Sequence, residues 1–124
     1  MRRVLLALCA VLLTACSHHL SVPRIGMERD VVTGGQAQID AGLVVDVDGL
    51  PGIWIAGHRT THGGTFRRVI ELHAGDEVAY MGVHYIVRYT TVVPFDWPPH
   101  YLGTLVLQTS NPTGGAFLAV CEPG

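Results

Sequence analysis

The 124-residue sequence contains no lysine: its eight basic residues are all arginine, set against ten acidic ones for a net charge of −2. Charged residues make up only 15% and aromatic residues 7%, while hydrophobic residues reach 48%. A chain this apolar and this weakly charged falls outside the intrinsically disordered class. It also lacks the basic stripe of a small nucleic-acid binder, so no nucleic-acid partner is expected. The longest apolar stretch falls short of the ~20 residues that span a bilayer. No internal repeat, low-complexity tract or second linker breaks the chain, and its length suits a single domain.

Much of the apolar surplus sits in the first sixteen residues. Met1-Arg2-Arg3 is a positive start, Val4 to Leu13 is an apolar stretch, and Leu13-Thr14-Ala15-Cys16 ends it. That is the pattern of a targeting segment rather than of a folded element. The tetrapeptide resembles the bacterial lipobox, which implies removal of residues 1–15 and lipidation of Cys16. The mature chain then carries six Arg against ten acidic residues and is mildly acidic. Cys9 leaves with the signal and Cys16 carries lipid, so Cys121 stands alone and no intrachain disulfide is expected. Residues 16–23 read as a lipidated tether and residues 24–122 as the folded domain. The location implied is extracytoplasmic, lipid-anchored to the cell membrane. His18-His19 has no further ligand nearby, and neither a metal nor any other cofactor is expected.

The domain reads mostly as strand. Ile53-Trp54-Ile55-Ala56 follows the turn residues Gly49 to Gly52 and suggests a buried strand. Glu77–Met81 and His84–Val93 flank Gly82 as a hairpin. Thr104–Thr109 and Ala116–Cys121 form a second hairpin around Asn111-Pro112-Thr113-Gly114-Gly115. Phe66 to Leu72 has apolar residues at helical spacing with Gly75 to stop it, and a second short helical turn is expected around Gln36 to Leu43. Short strands with one or two brief helices predict a mainly β fold, a small β-barrel.

At this point the residues resemble the sortases. The resemblance rests on Ala56-Gly57-His58, then Phe66 and a short helix, then Leu72-His73-Ala74-Gly75-Asp76, then Tyr85-Ile86-Val87, then Thr104 to Ser110, and it covers roughly residues 24 to 121. The Lys-free composition is in keeping with the actinobacterial groups. The resemblance implies a sortase-like β-barrel and a peptide-transferring site in which a Cys thiolate attacks, a His supplies a proton and an Arg steadies the oxyanion. His58 matches the family His. Ser110 stands where the nucleophilic Cys belongs, and no Arg follows Arg88, so Ala116, Phe117 or a near neighbour occupies the Arg position.

A hydroxyl does not ionise near neutral pH as a thiol with a neighbouring cation does, so both departures weaken catalysis. Cys121, near the chain's end, reads as a core residue. Arg59 is expected to face away from His58, and His62 to be a solvated loop residue. The segment Val93 to Tyr101 falls where sortases wall their substrate groove, with Trp97 and Tyr101 as candidate groove residues. The function expected is a non-catalytic cell-envelope binding or accessory module with a cell-wall or surface peptide as ligand. The alternative is a Ser/His variant of the transpeptidase, which an acid beside His58 would favour; Asp40, Asp46 and Asp48 are the upstream candidates.

Overall fold

The computed structural model describes residues 18–95 and 103–124. Residues 1–15, Cys16, Trp97 and Tyr101 lie outside the described residues. The strands are β1 (His19–Val22), β2 (Met27–Gly34), β3 (Val44–Val47), β4 (Ile53–Ala56), β5 (Glu77–Tyr80), β6 (Val83–Val93), β7 (Leu105–Ser110) and β8 (Ala116–Pro123), with helix α1 (Gln36–Asp40) between β2 and β3. They close into a barrel in the order β1-β2-β3-β4-β7-β8-β6-β5. The mainly β architecture expected from the sequence is therefore the one observed. Neighbouring strands run antiparallel except for β2 beside β3 and β4 beside β7.

Alternation along the strands sorts two cores. Leu105 and Leu107 of β7 and Phe117, Ala119 and Cys121 of β8 point into the barrel with Phe66, Val69 and Tyr80. Val106 of β7 and Ala116, Leu118 and Val120 of β8 point outward with Trp54. Val47, Leu50 and Val93 pack against that outer group. Burial of both faces explains why β7 and β8 read as nearly continuous apolar runs rather than alternating ones. The β5–β6 hairpin turns on two residues, Met81 (φ 52°) and Gly82 (φ 77°), the paired positive angles that a two-residue turn of matching twist requires.

The barrel begins earlier than residue 24. Leu20 and Val22 are fully buried, and β1 pairs with both β2 and β5. Residues 19–22 are thus a strand rather than part of a free tether, because alternate apolar residues suffice to bury one face. The helix expected over Phe66 to Leu72 is reduced to a 3₁₀ turn at Val69–Glu71. Phe66 and Val69, three residues apart, are both fully buried, the spacing at which side chains of a 3₁₀ turn eclipse. The other expected turn is α1.

On the barrel's outer surface His19 ties β1 to β2. Its ring contacts Glu28 at 3.0 Å and Asp30 at 3.2 Å. The hydrogen bond with Glu28, then that with Asp30, raises the His19 pKa above the ordinary histidine value. A raised folded-state pKa means that this stabilisation is present in full below the unfolded value and fades as pH rises through the folded one. Comparison of wild type with His19→Gln by thermal melting should give the largest difference near ~pH 5–6 and almost none above ~pH 8. A difference that grew with pH would assign the tie to something other than the imidazolium.

Candidate functional site

The parallel pairing of β4 with β7 positions the site. Ala56 stands opposite Gln108, and the ladder runs on past the end of β4 through the Gly57 N–H donating to the Gln108 carbonyl at 3.2 Å. The Thr109 hydroxyl, buried between the strands, donates to the Gly57 carbonyl at 2.9 Å. Two residues beyond the Ala56 register, His58 and Ser110 come to the same end of neighbouring strands. Both line one cavity of about 410 Å³, within the range of small-molecule and peptide sites. Trp54 and Gln108 form part of its lining, their side chains joined by an indole N–H to amide oxygen hydrogen bond. Phe95, 67% exposed, lines it too and is the last described residue before the segment that holds Trp97 and Tyr101.

Of the three upstream acids, Asp40 reaches His58. Its Oδ1 lies 2.9 Å from His58 Nε2. Asp46 is engaged elsewhere, accepting from the Tyr80 hydroxyl at 3.0 Å. The His58 ring, and after it the Gln36 amide, hold the Asp40 carboxyl below the usual carboxylate range. An ionised carboxylate only accepts, so Nε2 carries the proton, and in the neutral ring Nδ1 is the free base. Nδ1 lies 3.1 Å from the Thr61 hydroxyl. Both ring nitrogens are thereby engaged, neither with Ser110. Thr61 had no signal in the sequence: it sits in a loop that reaches His58 only through its fold.

His62 is exposed, as a solvated loop residue would be, yet its ring stacks on His58 with centroids 4.5 Å apart. Among the described residues no group of three or more His, Cys, Asp or Glu is placed to hold a metal. Among the described residues neither Arg59 nor any other Arg lines the cavity. Ala116, opposite Ser110 in the β7–β8 ladder, is 2% exposed. Cys121 faces the barrel interior opposite Leu105, five residues along β7 from Ser110, a separation of ~17 Å. Burial pushes its thiol up to about 12, the signature of an inert core cysteine.

The closed barrel resembles solved sortases. Sortase E1 from Streptomyces coelicolor, determined with a tripeptide in its active site, aligns with a TM-score of 0.70 at 20% identity, covering 87% of this chain and 87% of that one. Sortase A from Listeria monocytogenes aligns at 0.68 and 21% identity, over 89% of this chain and 88% of that one. Sortase C-3 from Streptococcus pneumoniae gives 0.69 and 25% identity over 85% of this chain, which spans 60% of it. The chain has a sortase-like fold. No family model matches the sequence, and no curated protein matches it.

Proposed function

We propose that this protein is an extracytoplasmic module, anchored by lipid at Cys16, that binds a cell-envelope peptide in the His58 cavity without cleaving it. The observation that carries this reading is the engagement of both His58 ring nitrogens by Asp40 and Thr61, which leaves His58 no free nitrogen to serve Ser110 as a base. A Ser nucleophile needs a base within hydrogen-bond reach, whereas a binding groove needs only shape and a few polar groups. The cavity supplies the latter through Gln108, Gln36 and His58 among apolar walls. The likeness to a sortase that holds a tripeptide supports a peptide as occupant. Trp97 and Tyr101 complete the groove in this reading.

One observation favours the Ser/His enzyme instead: Asp40 is positioned as the third member of an acid-His-Ser set would be, and freeing Nδ1 from Thr61 would supply the base. A serine-directed fluorophosphonate separates the two. The expected result is no adduct at Ser110 by mass spectrometry. A stoichiometric adduct that disappears in His58→Ala would install the enzyme. For the groove itself, Trp97→Ala and Tyr101→Ala should weaken binding of an envelope peptide while the melting temperature stays nearly unchanged. A loss of ~3–5 kcal/mol in stability would make them core residues instead.

A further inference from the structure

A second cavity, of about 260 Å³, shares no lining residue with the His58 cavity. One wall is the Ile25–Arg29 stretch at the start of β2, the other Gly64, Thr65, Arg67 and Arg68. Three of the six arginines that lie beyond residue 15 line it, in a region of sequence that is acidic overall. Arg68 is fixed as part of the wall: its Nε and Nη2 each donate to Glu71 at 3.0 Å and its Nη1 to the Ile25 carbonyl at 3.0 Å. Arg29 and Arg67 make no ion pair and no side-chain hydrogen bond among the described residues. Glu28 also lines the cavity, but its carboxylate is engaged by the Ser21 hydroxyl and the His19 ring.

We propose that this cavity binds a phosphate-bearing anion. Two guanidinium groups that make no ion pair line one cavity, and a tetrahedral phosphate brings three oxygens to their donors where a carboxylate brings two. Guanidinium suits it in particular, since its planar fork donates two parallel hydrogen bonds to a phosphate. The volume is at the small end of ligand sites, which fits inorganic phosphate, a glycerol phosphate or a single lipid headgroup better than a folded partner. The site is separate from the His58 cavity and does not depend on what that cavity binds.

The test titrates the purified protein at low salt with three probes: inorganic phosphate, sn-glycerol 3-phosphate, and phosphatidylglycerol vesicles set against phosphatidylcholine vesicles. Wild type should show saturable shifts of the Thr65 and Arg67 amide resonances with a soluble phosphate, or selective binding to the phosphatidylglycerol vesicles. Arg29→Gln and Arg67→Gln should each weaken that binding roughly tenfold. Neither arginine is paired, so both variants should keep the wild-type melting temperature. Arg88→Gln, whose side chain pairs with Glu122, is the control and should bind as wild type does. Soluble probes binding identifies a small-anion site, and vesicles alone binding identifies a lipid headgroup. No binding of any probe, or binding untouched by both substitutions, overturns the proposal.

Discussion

Phe66→Ala should cost about 3–5 kcal/mol of stability in denaturant unfolding, the usual range for emptying a buried aromatic site. Phe66 is fully buried, and its ring lies so near Gly57 that a Cβ placed there would come within 3.1 Å of it. Its N–H also donates to the His58 carbonyl at 2.9 Å. Removing the ring therefore empties the core directly behind the site, and His58 should lose its contact with Asp40 as the segment relaxes. Loss of the Asp40–His58 coupling by NMR, together with the stability loss, checks both. An unfolding free energy within ~1 kcal/mol of wild type would mean that the site rests on other supports.

The second large effect is a gain. Ser110→Cys alone should leave activity on sorting peptides close to background, since it supplies a thiol but no oxyanion-stabilising cation. Ser110→Cys combined with Ala116→Arg should exceed the single variant by ~10²–10³-fold, the usual worth of one oxyanion donor. Ala116 is the position to change because it stands opposite Ser110 and shares the outer face with it, whereas Phe117 points into the barrel. Single-turnover cleavage of a sorting peptide, read beside a thermal melt of each variant, measures the gain. If the folded double variant is no faster than the single one, the missing guanidinium is not what separates this chain from an active transpeptidase.

The strands written in β-branched residues around glycine turns were legible in the sequence: β4, the β5–β6 hairpin and the β7–β8 hairpin. The strands before β4 were not. β2 begins Met27-Glu28-Arg29-Asp30, a charged run that reads as loop, and it persists as strand because its polar side chains find partners across the ladder in His19 and Ser21. β1 hides for the same reason, with only Leu20 and Val22 turned inward. At the site, the motif order located His58 and Ser110, whose shared cavity follows from the parallel β4–β7 pairing. Which acid meets His58 was not legible. Asp40, Asp46 and Asp48 are equivalent in type, and the choice among them is made by α1, which carries Asp40 to the ring while Asp46 turns to Tyr80.

The placement of β8 between β6 and β7 sets the order of events when the chain folds. β8 is the last strand in sequence, yet it is hydrogen-bonded on both sides within the closed sheet. Until residues 116–123 are available, β6 and β7 have no common neighbour and the cylinder stays open, with the edges of both strands unpaired. β1 must likewise wait for β5, some sixty positions along, and β4 for β7, about fifty along. Ladders joined over such separations close slowly, in ~milliseconds to seconds for all-β domains, since chain entropy is lost before the contacts form. Substitutions that loosen β8 should therefore slow refolding as well as lower stability, and the half-closed species they prolong exposes the strand edges most prone to self-association.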